Sequence, residues 1–427
     1  MLGRKITRDL LLVVVVVAIL VGVPVATITA YSPELNSSAV NPDPADVMSN
    51  STSPTCSPTS LCPFMLDTAY GFNNLFGLGI SGAGQTIVIV DACGDPSLSS
   101  DLRAFDLQFG LANPVVNIKD IGGTPCSDSG WSVETSLDAE WAHVTAPKAK
   151  IDILVAAVPD TRDIYDAWIY ALNHHLGNQI SNSFGGAGCY NGACDAEIGQ
   201  GIGSCGSIRG TDGINVAKIL QLAEKDNVTV LAGSGDSGAS GLGTSQEEAI
   251  PADCQGVLTV GGTTLSVNAS GNYEGETAWN GSGGGYTTNR EPNYQLYAGI
   301  VDPYHTLAKP DVAAVADPNT GVEVYNNGTW EVIGGTSVSC PIWAGFMADV
   351  NQMRAQNGLR PAGFVNQFLY STVYDADGSS PLYKEDFHDV IAGNNTWSAG
   401  PGWNPDTGLG TFIVPALAET LGTSPEA

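Results

Sequence analysis

The chain has 427 residues, enough for a large hydrophobic core, and its 44 acidic against 16 basic residues give a formal net charge of −28. This charge argues against nucleic acid and anionic membrane surfaces as partners. Only 14% of the residues are charged, so the excess comes from scarce lysine and arginine. A well-hydrated surface or a halophilic protein would show the same excess of acidic residues. The excess also suits a protein that is active in acid, because protonation there removes the repulsion between carboxylates.

The N-terminal segment has the features of an export signal. Three basic residues among the first nine precede an uncharged apolar run over residues 10–30, the pattern of a signal peptide. The run is of borderline length for a bilayer span and Pro24 interrupts it, so cleavage is the prediction and membrane anchorage the alternative. Residues 31–63 are rich in Ser, Pro, Thr and Asn and predict an extended linker, followed by one ordered domain over 64–427.

Nine cysteines indicate an oxidising compartment. Their close groupings predict local bridges, one within Cys56/Cys62 and others among Cys189/Cys194/Cys205, with the connectivity left open. The odd total leaves at least one cysteine outside an internal pair. Cys340, at the start of an apolar helical pattern, is the expected buried free thiol.

Apolar runs of strand length alternate with helical patterns along the chain. Continuous runs of this kind are typical of strands buried on both faces, and they occur at 86–91, 151–157, 179–183, 228–232 and 257–260. Helical patterns occur at 133–144, 164–176, 214–224 and after residue 337. Strands separated by helices predict an α/β fold with a largely parallel sheet covered on both faces, and an active site at the carboxyl ends of the strands.

Two carboxyl groups share one face of the helical pattern that begins near Val133. Glu134 and Asp138 stand at i and i+4 and are therefore neighbours, an arrangement that repels on an exposed helix. One interpretation has Glu134 stabilising the helix N-terminus and Asp138 solvated. The other is a carboxyl pair in which one member keeps a proton and holds the other in place.

A glycine turn, GSGDSG over residues 233–238, follows the run at 228–232 and carries Asp236. In an α/β protein an active-site group would stand here, although aspartates in such turns often bond only to their own backbone. Ser237 could also be the nucleophile of a chymotrypsin-like protease. That fold is built from antiparallel barrels, and the base would have to be His143, which lies inside the helical pattern at 133–144.

A second glycine turn, GGTSVSCP over residues 334–341, presents Ser337 just before an apolar helix. The hydroxyl can enter a cleft there, beside the free N–H groups of the helix, although such turns are also ordinary structural features. None of the five histidines sits in a glycine-rich setting with a hydroxyl-bearing neighbour. If Ser337 is a nucleophile, a carboxylate is therefore the expected base.

Seven stretches of the chain occur in an order known from one family: GQTIVIVDACGDPSLSSDLRAFDLQFGL, ETSLDAEWAHVTAPKAKID, GSGDSG, PADCQGVLTVGGTTL, KPDVAAVADPNTG, GGTSVSCPIWAG and AGPGWNPDTGLG. From about Tyr70 to Gly410 the chain thus resembles the sedolisins, or serine-carboxyl peptidases, whose members include kumamolisins and the lysosomal tripeptidyl peptidase. The resemblance implies a subtilisin-like α/β fold. It also implies that Ser337 is the nucleophile, Glu134 the general base, Asp138 the carboxyl that orients Glu134, and Asp236 a protonated acid that stabilises the oxyanion.

The resemblance further implies one structural calcium ion near the C-terminus. Its ligands would be Asp389, the carbonyls of Val390, Gly400 and Gly402, and Asn404, and such oxygen ligands suit Ca²⁺. The family pattern has Asp at position 404, so we expect a weakened site. Sedolisins usually carry a long prodomain, whereas about thirty linker residues separate the export segment from the catalytic region here, which leaves the control of activity open.

The sequence therefore predicts an exported, acid-acting endopeptidase that cleaves unfolded proteins or peptides through an acyl-enzyme. It would be a monomer outside the cell or at the cell surface, with anchorage through residues 10–30 as the alternative to release. Two rival functions remain: a chymotrypsin-like protease that uses Ser237, and a catalytically silent surface scaffold that binds peptides or neighbouring envelope proteins.

Overall fold

The computed structural model describes residues 56, 60–185, 189–190, 193–194, 215–244, 250–300, 302–374 and 378–427. The predicted export segment, nearly all of the predicted linker and Cys205 lie outside these residues. Within them, no helix combines the length and the hydropathy that crossing a membrane requires.

The strands are short and mostly buried. In chain order they are β1 (Thr86–Ala92), β2 (Val116–Ile121), β3 (Lys150–Ala156), β4 (Gln179–Asn182), β5 (Cys189–Tyr190), β6 (Ala193–Cys194), β7 (Thr229–Gly233), β8 (Ala239–Gly241), β9 (Val257–Val267), β10 (Tyr273–Ala278), β11 (Gly284–Arg290), β12 (Thr306–Lys309), β13 (Val312–Val315), β14 (Val322–Asn326), β15 (Thr329–Ile333), β16 (Phe387–His388) and β17 (Thr411–Phe412).

The helices alternate with these strands through the first half of the chain. They are α1 (Pro63–Tyr70), α2 (Phe72–Gly77), α3 (Leu98–Phe109), α4 (Ser129–Thr145), α5 (Thr161–Asn173), α6 (Val216–Lys225), α7 (Asn293–Tyr297), α8 (Thr336–Gln356), α9 (Asn366–Phe368), α10 (Pro381–Asp386) and α11 (Val414–Thr423). A single 3₁₀ turn at Pro318–Thr320 and a π-helical turn at Leu369–Val373 complete the helical segments of the described chain.

The main sheet has the order β16-β17-β13-β9-β7-β4-β1-β3-β2, with β10 paired to β9. All neighbours from β17 across to β2 run parallel, and only the β10/β9 and β16/β17 pairs are antiparallel. The prediction of an α/β fold with a mostly parallel sheet is confirmed. Because parallel strands point the same way, the loops after β1, β4 and β7 meet at one edge of the sheet.

Each face of the sheet carries its own hydrophobic core. Side chains alternate along β1, so that Ile87 and Ile89 belong to one core cluster while Val88 and Val90 belong to the other. The first cluster includes side chains of α4 and α8, such as Trp141 and Phe346, and the second includes side chains of α5 and α6. This double coverage explains why the strands read as unbroken apolar runs.

Helices α4 and α8 pack directly against each other beneath the predicted catalytic residues. Their close approach depends on Gly345 of α8, because a Cβ at this position would lie 2.0 Å from Thr145 Oγ1 of α4. The two helices therefore form one rigid support, with Glu134 and Asp138 on α4 and Ser337 at the start of α8.

Disulfides join Cys56 to Cys62, as predicted, and Cys93 to Cys126, which the sequence grouping did not suggest. Cys254 is also disulfide-bonded. Among the cysteines that the structure describes, Cys340 is free and fully buried, as predicted.

Several carboxyl groups are buried in the core away from the predicted catalytic residues. Asp67 of α1 and Asp349 of α8 are neighbours, and burial raises the pKa of each well above its ordinary value. Burial likewise raises the pKa of Asp311 to about 7 and that of Asp386 to about 6. A carboxyl whose pKa is raised by folding binds its proton more tightly in the folded state than in the unfolded state.

We expect the free energy of unfolding to be largest in acid and to fall as the pH rises. The stabilisation from these protons is fully present below the unfolded pKa of about 4 and is lost as the pH passes the folded values near 6 to 7. For Asp311 alone, a shift from 3.8 to about 7 corresponds to roughly 4 kcal/mol. Urea unfolding at about pH 4 and about pH 8 measures the difference.

The variant Asp349→Asn provides the control for this pH dependence, since its amide copies the neutral acid at every pH. It should unfold with a shallower dependence on pH than the natural chain. A natural chain that is more stable at neutral than at acid pH would contradict the expectation.

Candidate active site

Ser337 lies at the second position of α8, directly after a glycine turn. Gly335 precedes the helix with a φ of 124°, a conformation that side-chain-bearing residues rarely adopt. A Cβ at Gly335 would lie 2.7 Å from Asp236 Oδ2, so glycine is also required for the approach of that carboxyl. The backbone N–H groups of the first helical turn are unpaired within the helix and carry a partial positive charge.

Glu134 lies on α4 beside the Ser337 hydroxyl. Burial raises the pKa of Glu134 to about 8, the hydrogen bond with Ser337 lowers it, and the negative charges of Asp91 and Asp236 raise it again. Glu134 Oε1 is buried and makes no hydrogen bond of good geometry. The carboxyl therefore has a free acceptor next to a hydroxyl, as a general base requires.

Asp138 lies one turn further along α4 and is fully buried. Its Oδ1 accepts a hydrogen bond of 2.6 Å from Ser183 Oγ, while Oδ2 has no partner. Burial raises the pKa of Asp138 well above its ordinary value, and the charges of Asp91 and Glu134 raise it further. Asp138 is thus a buried carboxyl near Glu134 in which burial favours the neutral form, rather than a solvated carboxylate.

Asp91, at the end of β1, is a further buried carboxyl in this cluster that the sequence analysis did not single out. Burial raises its pKa to about 7, and the neighbouring Thr135 hydroxyl lowers it. That hydroxyl donates its own hydrogen to the Trp131 carbonyl at 2.8 Å, which leaves both oxygens of Asp91 without a hydrogen-bond donor. The available signal was an acidic residue at the carboxyl end of a buried strand.

Ser183, just after β4, connects α4 to the start of α8. Its hydroxyl lies 3.3 Å from the Ser337 carbonyl as well as 2.6 Å from Asp138, and its own carbonyl accepts from Ser337 Oγ at 3.4 Å. The sequence analysis placed Ser183 only at the end of a strand. Through these contacts the loop after β4 connects Ser337 with Asp138.

Asp236 follows β7 and bonds to the residue before the serine. Thr336 donates to Asp236 Oδ1 from its backbone N at 2.7 Å and from Oγ1 at 3.0 Å, while Gly235 N donates to Thr336 Oγ1 at 3.0 Å. Although the residue as a whole has exposed surface, burial of the Asp236 carboxyl raises its pKa, against the lowering effect of the Thr336 bonds. Because Oδ1 accepts hydrogen bonds from both Thr336 donors, the proton of the neutral Asp236 side chain is expected on Oδ2.

The structure thus brings Ser337, Glu134, Asp138 and Asp236 to one edge of the sheet, and their catalytic roles stay predictions. The geometry is less favourable to the chymotrypsin-like alternative, in which Ser237 would be the nucleophile. Its base, His143, is fully buried on α4, with Nε2 3.3 Å from Asp106 Oδ1.

The predicted calcium ligands also lie together, but their contacts do not fit a calcium ion. The side-chain nitrogen of Asn404, and not its side-chain oxygen, faces the carbonyls of Val390, Gly400 and Gly402. Asp389 accepts hydrogen bonds from Gly402 N at 3.1 and 3.2 Å. Across the described residues, no group of three or more His, Cys, Asp or Glu could hold a metal ion.

Comparison with known proteins assigns the family. The model of the subtilase family matches residues 133–403, more than half of the chain and all of the four predicted catalytic positions. The chain belongs to the subtilase family. Within it, the chain belongs with the sedolisins, as its resemblance predicted.

Two curated relatives illustrate this relationship. Kumamolisin of Bacillus sp. (strain MN-32) is 32% identical over 399 residues, a match that covers 86% of this chain and 65% of kumamolisin. Sedolisin of Pseudomonas sp. (strain 101) is 27% identical over 368 residues, covering 79% of this chain and 58% of sedolisin. The chain therefore matches about two thirds or less of the length of these relatives.

A solved structure supports the fold independently. The structure of Pseudomonas sedolisin (serine-carboxyl proteinase) complexed with two molecules of pseudo-iodotyrostatin superposes with a TM-score of 0.71 at 24% identity. The match covers 87% of this chain and 100% of that one. The subtilisin-like fold predicted from the sequence is confirmed.

Proposed function

We propose that the chain is a serine-carboxyl peptidase that hydrolyses peptide bonds through an acyl-enzyme on Ser337. The proposal rests on one observation. The Ser337 hydroxyl lies next to the Glu134 carboxyl, at the edge of the parallel sheet where the strands end. A hydroxyl at a helix N-terminus, next to a carboxyl base that has a second buried carboxyl one helical turn away, is the arrangement of an activated nucleophile.

In the first half of the proposed reaction, Ser337 Oγ attacks the peptide carbonyl carbon and passes its proton to Glu134. The carbonyl oxygen gains the negative charge, which the Ser337 backbone N–H and the protonated Oδ2 of Asp236 stabilise. The tetrahedral intermediate collapses when Glu134 returns the proton to the leaving amine, and the acyl group stays on Ser337. Water then repeats the sequence, so that the carboxylic acid is released and the serine hydroxyl restored.

The buried carboxyls explain why this machinery suits acid. Burial raises the pKa of Asp236 and favours its neutral form, the only form that can donate a hydrogen bond to an oxyanion. Burial raises the pKa of Glu134 to about 8, so that its base form is a minor species in acid. The Ser337 hydroxyl lowers this pKa, and protonation of Asp91 and Asp236 removes the charges that raise it, so both effects favour the ionised form that the proposed mechanism requires. A histidine base would be protonated and inactive under the same conditions.

Substitutions at Asp236 test the oxyanion role. Asp236→Ala should lower kcat/KM by about 10²- to 10³-fold, the usual effect of removing one oxyanion donor. Asp236→Asn should lose less, because its oxygen can still accept from Thr336 while its amide donates at any pH. We therefore expect the Asn variant to keep a larger share of its acid activity at neutral pH than the natural chain. Initial rates on a fluorogenic peptide across the pH range measure both effects.

Ser237→Ala, in the same turn, is the matched control and should leave kcat/KM unchanged. An Asp236→Ala variant that works as well as the natural chain would remove Asp236 from the mechanism.

The finer properties of the proposal concern where and on what the enzyme works. We expect export through residues 10–30, action in acid, monomeric behaviour, and unfolded proteins or peptides as substrates. The disulfides Cys56–Cys62 and Cys93–Cys126 support an oxidising compartment, and the raised pKa of Asp236 supports action in acid.

Proteolysis of an unfolded protein by the purified full chain, from about pH 2 to about pH 8, tests the activity itself. Activity confined to acid supports the proposal. A folded sample without activity at any pH would favour the catalytically silent scaffold.

A further inference from the structure

We propose that the Asn404 side-chain amide takes the place of the calcium ion expected near the C-terminus, so that this loop cluster is held by hydrogen bonds and does not need the metal. The inference concerns stability and does not depend on the proposed peptidase activity.

Three backbone carbonyls converge on one nitrogen atom. Asn404 Nδ2 lies 3.2 Å from the Val390 carbonyl oxygen, 3.2 Å from that of Gly400 and 3.5 Å from that of Gly402. Asn404 is only 4% exposed, so water does not supply these contacts from bulk solvent. The amide is thus a buried hydrogen-bond donor at the centre of the predicted ligand set.

The orientation of this amide is fixed by its other atom. Asn404 Oδ1 accepts from Asp406 N at 3.0 Å, from Thr407 N at 3.1 Å and from Thr407 Oγ1 at 3.3 Å. Backbone N–H groups only donate and carbonyls only accept. Rotating the amide by half a turn would therefore set donors against donors on one side and acceptors against acceptors on the other.

This orientation explains why asparagine and calcium exclude each other here. A calcium ion needs six to eight oxygen ligands, and the side chain at position 404 has a single oxygen, which already accepts from the Asp406 and Thr407 N–H groups. An aspartate has two oxygens, one for these N–H groups and one for a cation among the carbonyls. The remaining carboxylate, Asp389, already accepts from Gly402 N, and the Tyr383 hydroxyl lies 3.2 Å from its Oδ1.

Thermal unfolding of the full chain in excess Ca²⁺ and in excess EDTA tests the proposal. The natural chain should show the same Tm in both. Asn404→Asp should lose on the order of 5 °C in EDTA, because its second oxygen faces three carbonyls without a donor, and should recover that loss in Ca²⁺. Calorimetric titration with CaCl₂ should show a stoichiometric site in the Asn404→Asp variant that the natural chain lacks.

Asn395→Asp is the matched control. Asn395 is equally buried, at 4% exposed, and its amide donates to the Ser282 carbonyl at 2.8 Å. This variant should lose stability in EDTA and in Ca²⁺ alike.

A natural chain that gains several degrees of Tm in Ca²⁺, or that binds one Ca²⁺ as tightly as Asn404→Asp, would overturn the proposal. If Asn404→Asp fails to fold in EDTA, folding restored by Ca²⁺ supports the proposal. The natural chain's response to Ca²⁺ decides the matter even without any variant.

Discussion

Ser337→Ala is expected to lower kcat on a peptide substrate by about 10⁶-fold, the size of effect that loss of a nucleophilic serine produces in subtilisin. The loss follows because alanine cannot form the acyl-enzyme, and neither Glu134 nor Asp236 can replace the hydroxyl. The fold should survive, since the hydroxyl makes only a weak hydrogen bond to the Ser183 carbonyl, at 3.4 Å, besides its contact with Glu134. Rates on a fluorogenic peptide at the acid optimum, with enzyme concentration raised for the variant, measure the loss.

Two control variants locate this effect at Ser337. Ser237→Ala removes the exposed serine of the neighbouring glycine turn, and Ser339→Ala removes a buried hydroxyl that donates to the Thr336 carbonyl at 2.9 Å. Both should keep kcat near that of the natural chain. Full activity in Ser337→Ala together with its loss in Ser237→Ala would revive the chymotrypsin-like alternative.

Glu134→Gln should lower kcat by about 10³- to 10⁴-fold, toward the upper end of what general acid–base catalysis contributes. Glutamine fills the same space beside Ser337 but cannot take its proton. The effect should appear in kcat more than in KM, because the proton moves only in the chemical step. Pre-steady-state rates of acylation with an ester substrate measure the step directly, and an unchanged acylation rate would exclude Glu134 as the base.

Glu140→Gln is the matched control, since it makes the same chemical change on the same helix. Burial raises the pKa of Glu140 well above its ordinary value, so in acid the neutral amide resembles the natural protonated acid. Its carboxyl contacts Tyr325 N at 3.1 Å and lies outside the proposed catalytic group. We expect near-natural kcat from this variant.

The sequence predicted helix α4 from the helical spacing of a few apolar residues, although most of α4 and α8 is buried and neither helix is strongly amphipathic. Helix α4 begins four residues earlier than the predicted 133, since Asp128 caps it by accepting from Gly130 N and Trp131 N. Helix α5 is shifted in the same direction, to Thr161–Asn173, because the Asp160 side chain accepts from Asp163 N. Caps lie outside the apolar period, so periodicity alone placed these two helix starts late.

Strands and tertiary partners were predicted less completely. Strand β2 is an edge strand with a mostly half-buried pattern, so it lacks a continuous apolar run, and β13 has only four residues. The Cys93–Cys126 disulfide joins positions 33 residues apart, beyond any local grouping. Asp91 and Ser183 became visible as site residues only when parallel pairing brought the ends of β1 and β4 beside α4.

The C-terminal loops show a different limit of prediction from sequence. The sequence showed that position 404 lacks a charge and so predicted a weakened calcium site. Which atom of the Asn404 amide faces the carbonyls depends on the donors at Asp406 and Thr407, and that information exists only in three dimensions.

The most direct test of the proposed function is to trap the acyl-enzyme. The full chain would be mixed with a peptide p-nitrophenyl ester in acid, quenched within the burst, digested and analysed by mass spectrometry. The proposed mechanism predicts the acyl mass on the peptide that contains Ser337, and its absence in Ser337→Ala. Acylation at Ser237, or turnover of a peptide substrate without any acylated serine, would contradict it.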